Sequence, residues 1–203
     1  MKIIIGQEAV EVTSSGCTFT NGILDQYKKK VESIEFQKNI GVTFIDEEFL
    51  FFFKKLKHID FSGLEGVTSI GDDFLYACES LETIDLSSLK SVTSIGDYFL
   101  ELCISLESLD LAGLENVTYI NPGFLRSCES LKSIDLTPLK NVTYLDDMFL
   151  DGCTSLESLD LTPLKDVTHV GYDFLYGCPS LKDITWPDTK FWKKQRKIYE
   201  YNC

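Results

Sequence analysis

The apolar positions of this chain recur every 25 residues. Val42, Val67, Val92, Val117, Val142 and Val167 open six copies of one pattern, and Phe49, Phe74, Phe99, Phe124, Phe149 and Phe174 mark the same internal position in each. A weaker copy begins at Cys17 and runs through Val31, Ile34 and Phe36, so that seven units occupy 17–191. A fixed period of this length marks a repeat architecture, in which each unit stacks on the next because it cannot bury its own apolar set. Within a unit, Leu81-x-x-Ile84-x-Leu86 alternates inward and outward residues as a strand does. Val67 to Ile70 predicts a second, shorter strand, and the intervening Asp72 to Cys78 predicts a turn or so of helix with acidic residues at its start.

Both ends of such a stack expose a sheet edge and a core face that must be covered. Residues 1–16, with Ile3-Ile4-Ile5 and Val10-Glu11-Val12, predict an N-terminal cap. At the far end Tyr199 falls in the Phe174 position and Cys203 in the Cys178 position, so 192–203 predicts a half-repeat cap that closes the stack as a helix. The expected fold is an α/β repeat solenoid of leucine-rich-repeat type: a single domain of seven 25-residue units between two caps.

The recurring string Phe-Leu-x-x-Cys-x-Ser-Leu-x-x-Ile/Leu-Asp-Leu-x-x-Leu-x-x-Val-Thr-x-Ile resembles the BspA-like (Treponema pallidum type) leucine-rich repeats, from Cys17 to Phe191. The resemblance implies a solenoid with a parallel sheet on its concave side, used for binding in surface proteins. The chain departs from the family in having Phe-Leu (Phe74-Leu75) where Ala-Phe is common and Asp-Leu (Asp85-Leu86) where Ile-Pro is common.

Composition narrows the chemistry. The chain is 203 residues long with 44% hydrophobic and 25% charged residues, an ordinary globular balance. Its longest apolar run, Phe49 to Phe53, is far below the ~20 residues that cross a bilayer, so no membrane insertion is expected. The stretch Lys2 to Ile5 is too short for the core of a secretion signal. A formal net charge of -13 argues against nucleic acid as a partner. Cys78, Cys103, Cys128, Cys153, Cys178 and Cys203 share one repeat position and predict a ladder of buried free thiols. Parallel vectors ~4.8 Å apart suit neither a disulfide nor zinc. The ladder favours a reducing compartment, while the family resemblance allows a cell surface. Cys17 is expected in the core and Cys203 within reach of solvent.

The outward residues of the longer strand stack as Glu35, Asp60, Asp85, Asp110, Asp135 and Asp160, flanked by His58, Ser108, Ser133 and Ser158 on one side and by small or hydroxylated residues such as Thr137 and Thr162 on the other. Like charges ~5 Å apart repel, so the strip suits a basic protein segment; each rung offers one carboxylate and no wrapping loop, so no metal or cofactor is expected. The shorter strand carries a second row, Phe19, Phe44, Ser69, Ser94, Tyr119, Tyr144 and His169, whose last three members form the more anchor-like surface. Phe51 and Phe52 replace Tyr76/Ala77-type residues and either pack under the N-terminal cap or expose a patch. Asn116-Val117-Thr118 and Asn141-Val142-Thr143 fit the glycosylation pattern but read as turn residues.

Residues 190–203 carry five basic side chains against Glu200, a net of +4 that leaves -17 for the rest. His58 and His169, the only histidines, fall on different faces, and the chain has no phosphate loop, nucleophile elbow or His-Glu-x-x-His. The sequence therefore predicts a non-catalytic protein-binding module presenting its acidic strip. The alternative is a structural or self-assembling scaffold that meets its neighbours through its ends and its outer aromatic row.

Overall fold

The computed structural model describes residues 2–5, 8–11, 18–19, 27–36 and 41–202, with side chains described from Tyr27 to Glu200. Two kinds of parallel ladder run along the stack. The shorter strands β3 (Thr18–Phe19), β5 (Phe44–Ile45) and β7 (Ser69–Ile70) form one sheet, which a bridge from Ser69 extends to Ser94. Further along, β10 (Tyr119–Ile120), β11 (Tyr144–Leu145) and β13 (His169–Val170) continue the same row. The longer strands pair as β4 (Ser33–Glu35) with β6 (His58–Asp60), β8 (Thr83–Asp85) with β9 (Ser108–Asp110), and β12 (Ser158–Asp160) with β14 (Asp183–Thr185). Ser133 to Asp135 carry the same sequence pattern but are not in a strand. Before the stack stands an antiparallel hairpin, β1 (Lys2–Ile5) with β2 (Glu8–Glu11), whose first strand lies against β4. After it comes α1 (Lys190–Asn202).

The pairing follows the 25-residue register throughout the longer strands: Ile34 faces Ile59 and Ile84 faces Leu109. The shorter strands keep it too, except at β3. There Thr18 pairs with Phe44 and Phe19 with Ile45, so Phe19 does not occupy the Phe44 rung and Thr18 does not occupy the Thr43 rung. The first unit holds one extra residue between Phe19 and Ser33, which spacing counted from the later units does not show. Cys17 and Cys203, the two thiols with a special place in the sequence reading, lie outside the described residues.

Between the ladders the sequence predicts a helical turn over 72–78, and the structure corrects this. Asp73, Leu75 and Ala77 have φ of 56°, 57° and 54°, and the same alternation returns at Tyr98, Leu100 and Leu102. Left-handed backbone at every second residue breaks the i→i−4 pattern of a helix and directs the amides along the stack. Leu75 N–H donates to Phe49 in the turn before, and Asp73 N–H donates to Asp97 in the turn after. Each left-handed non-glycine residue costs about 1–2 kcal/mol, which the inter-turn bonds offset. The cysteine ladder has a place in this arrangement. Cys78, Cys103, Cys128, Cys153 and Cys178 each direct Sγ–H at the carbonyl of the left-handed leucine one turn back, Leu50 to Leu150, at 3.1–3.3 Å. Burial raises the thiols of Cys78, Cys103, Cys128 and Cys153, Cys103 to about 12, so these four stay protonated donors.

The core is one continuous column. Phe49, Phe74, Phe99, Phe124, Phe149 and Phe174 stack face to face, with centroids 5.0–5.7 Å apart and planes within 14°. Trp192 of α1 meets the last ring at 6.0 Å and 50°, ending the column. Its indole N–H donates to the Leu164 carbonyl at 2.8 Å, which satisfies its one polar atom inside the core. On the outside, threonine hydroxyls tie turn to turn: Thr68, Thr93, Thr143 and Thr168 each donate to the backbone carbonyl of the threonine 25 residues earlier.

Candidate functional site

The twelve residues singled out from sequence fall on two separate surfaces. His58, Asp60, Asp85, Ser108, Asp110, Ser158 and Asp160 belong to the longer strands, and Ser133 and Asp135 hold the equivalent places between β9 and β12. Tyr119, Tyr144 and His169 belong to the shorter strands. The two histidines are thus on different sheets.

On the longer strands the register places Glu35 beside Asp60, Asp85 beside Asp110, and Asp160 beside Thr185. The alternation that buries Ile84 leaves Thr83 and Asp85 exposed. Each aspartate also holds its own turn, because one carboxylate oxygen accepts the N–H two residues on: Ser62, Ser87, Ala112, Thr137 and Thr162 donate at 2.7–2.8 Å. In three of these turns a 3₁₀ segment follows, at Ala112–Leu114, Thr137–Leu139 and Thr162–Leu164. The Ser62 hydroxyl occupies the second oxygen of Asp60. Hydrogen bonds from Thr137, side chain first and then backbone, hold the Asp135 carboxyl below its usual range. Among the described residues, the second oxygen of Asp85, Asp110 and Asp160 has no protein donor and no basic side chain pairs with them. Among the described residues no three of His, Cys, Asp and Glu converge as metal ligands would.

On the shorter strands Tyr119, Tyr144 and His169 form a stack, with centroids at 4.5 and 4.0 Å and planes within 11°. Tyr144 is thus covered on both faces by its neighbours, while Tyr119 at one end is 41% exposed. Tyr119 hydroxyl donates to Asp146, and that bond pushes the phenol well above its ordinary range. Asn116 and Asn141 each donate from the side-chain amide to a carbonyl of the preceding turn, Lys90 and Glu115, at 2.9 and 2.8 Å.

A third surface was not singled out from sequence. The turns between the ladders align Phe51, Tyr76, Glu101, Arg126, Asp151 and Tyr176 in one row. At the N-terminal end Phe51 and Phe52 do expose an aromatic patch: Phe51 stacks on Tyr76 at 5.0 Å, and Lys54 Nζ lies 5.5 Å over Phe52, which is 40% exposed. In the middle Arg126 bridges its two neighbours, Nη1 to Glu101 Oε1 and Nε to Asp151 Oδ2, each at 2.9 Å. Glu101 is buried, its Oε2 has no partner, and burial raises its carboxyl despite the guanidinium. Gly123 makes the room: a Cβ there would come within 2.8 Å of that oxygen and 2.6 Å of Tyr98.

Beside this row the same turns carry Asp46, Glu47, Glu48, Asp72, Asp73 and Asp97 on three successive rungs. Burial raises the Asp73 carboxyl, and Asp72, Glu48, Asp97 and Glu47 raise it further by repulsion. The signal was legible as acidic residues repeated at the 46, 47 and 48 offsets, but a helix start explained them locally. At the C-terminal end α1 turns Trp192, Gln195 and Tyr199 toward the stack and leaves Lys190, Lys193, Lys194 and Lys197 exposed.

The family comparison agrees with this architecture. The BspA type leucine-rich repeat region matches residues 25–157 and 68–202, in six copies. The chain belongs to the BspA type leucine-rich repeat family. Among solved structures, a leucine-rich repeat protein of T. pallidum superposes with a TM-score of 0.50 at 16% identity, covering 83% of this chain and 88% of that one. A leucine-rich repeat protein from Bacteroides ovatus gives 0.44 at 21% identity over 90% of this chain and 61% of its own. One from Eubacterium ventriosum gives 0.47 at 23% over 70% and 42%. No curated protein matches. The BspA type membership accounts for the repeat solenoid and supports an interaction scaffold. No described helix is long and apolar enough to cross a membrane.

Proposed function

We propose that this BspA type chain is a non-catalytic protein-binding module whose acidic, hydroxyl-flanked strand face receives a basic protein segment. One observation carries the reading: Asp85, Asp110 and Asp160 each hold their turn with one oxygen and offer the other outward, unpaired with any cation. The turn bond fixes the carboxylate, so a lysine or arginine meets a preorganised acceptor and little side-chain entropy is lost on binding. The flanking residues Thr83, Ser108, Ser133 and Ser158 are exposed and add short donors. The face lacks the aromatic and arginine anchors of tight interfaces, so binding is modest and salt-sensitive. His58, at the opposite edge of the strip, is paired with Ser33.

The test is binding of an oligolysine peptide to wild type and to Asp110→Lys/Asp135→Lys, followed by fluorescence anisotropy at two salt concentrations. Binding that weakens with salt and is lost in the variant, with the circular dichroism spectrum unchanged, supports the reading. Equal binding to both proteins overturns it.

A further inference from the structure

The molecule separates its charges along its length. Lys190, Lys193, Lys194 and Lys197 fall at i, i+3, i+4 and i+7 on α1, which puts them on one face. That face is unpartnered: Trp192 and Tyr199 hold the other side of the helix against the stack, and the four lysines with Phe191 line a shallow depression open to solvent. Lys193 pairs with Asp188, while Lys190, Lys194 and Lys197 form no ion pair among the described residues.

Four to six rungs away, roughly 19–29 Å at ~4.8 Å per rung, lie the acidic turns. Asp46, Glu47, Asp72, Asp73 and Asp97 make no ion pair among the described residues either, and the hydrogen bonds that three of them accept come from neighbouring amides: Glu47 N–H donates to Asp46, Asp97 N–H to Asp72 and the Asn121 side-chain amide to Asp97. The spacing of the two surfaces agrees: lysines recur along α1 with the ~5.4 Å pitch of a helix, and carboxylates recur along the turns every ~4.8 Å. The separation keeps one copy from satisfying itself.

We propose that the lysine face of α1 on one copy docks on the acidic turns, at Asp46, Glu47, Asp72, Asp73 and Asp97, of a second copy of this chain. The two patches are different surfaces at different places along the stack, so the contact is heterologous and leaves a free lysine face and a free acidic patch at the ends of each pair. Such contacts grow into open chains unless the rotation closes a ring. The net charge of -13 on each copy opposes association. That repulsion is spread over the whole surface and screened beyond about 8 Å at physiological salt, whereas charges in contact act at about 4 Å. The local attraction therefore decides the geometry, and the affinity is low.

The test is sedimentation velocity on the full chain over a concentration series, at about 0.15 M and about 0.5 M salt. The expected result is concentration-dependent growth at the lower salt that disappears at the higher. Lys190→Glu/Lys194→Glu/Lys197→Glu, all exposed and so neutral to the fold, should weaken association at least about tenfold, as like charges then meet. Glu47→Lys/Asp73→Asn should do the same, and mixing the two variants should restore hetero-association. A wild type that stays monomeric throughout, association untouched by the lysine variant, or binding of α1 to anionic vesicles with no self-association each overturns the proposal. Because Asp110 and Asp135 are untouched, oligolysine binding persists in both variants if the strand-face reading holds, so the two proposals fail separately.

Discussion

Two rows of side chains only two residues apart in each repeat behave in opposite ways. The row at 49, 74, 99, 124, 149 and 174 is phenylalanine in every turn, each ring sandwiched between its neighbours and, up to Phe149, buried. The row at 51, 76, 101, 126, 151 and 176 holds aromatics at both ends and an acid–base–acid triad in the middle, and its last member, Tyr176, is 65% exposed. The first row packs against identical copies above and below, so one residue type satisfies every turn. The second faces partly outward and is settled rung by rung through pairing, so its chemistry can vary along the stack. In a repeat protein each turn contacts only its neighbours, and a local exchange in the second row costs only nearest-neighbour terms.

The largest way to break the comparison is to open the uniform row. Phe99→Ala leaves a void between Phe74 and Phe124, at 5.0 and 5.6 Å, and should cost about 3–5 kcal/mol in denaturant unfolding. Next comes the triad. Arg126→Leu strands Glu101 as a buried lone charge and should cost about 2 kcal/mol at neutral pH, below the usual range for a buried pair because Arg126 is 39% exposed. If Glu101→Leu added to it recovers most of that loss, the row is tolerant of chemistry and intolerant only of an unpaired charge.

Acidity sharpens the same contrast more gently. Glu101 has a folded-state carboxyl raised above its ordinary 4.5, so the fold binds its proton more tightly than the unfolded chain does. Stability from this group is therefore greatest below 4.5 and declines as pH rises through the raised value. Glu101→Gln should flatten that slope in a pH series of melting curves. Asp135 runs the other way: its lowered carboxyl contributes stability above 3.8 that is lost as pH falls through the folded value. The smallest effect is at Asp110, where Asp110→Ala removes one bond to the Ala112 amide and should cost about 1 kcal/mol. A loss as large as that of Phe99→Ala would show that the turn bonds, rather than the phenylalanine column, hold the stack.

The 25-residue period determined the phenylalanine column, the register of Ile34 on Ile59 and the row of aspartates, because each follows from stacking like on like. The period also placed Tyr119, Tyr144 and His169 on one ladder. Tertiary structure decided what depends on partners 24 to 28 residues away. Over 72–78 the acidic start and apolar spacing read locally as a helix, but the amides bond to Phe49, Asp97 and Glu101 in adjoining turns and take the left-handed alternation that this requires. The same distance hid the reason for the cysteines, whose thiols meet carbonyls a full turn back, and for Arg126, whose acids lie one rung to either side. A one-dimensional pattern reports which residues share a rung; whether a carboxylate on that rung finds a cation or only another carboxylate is set by the neighbouring turns.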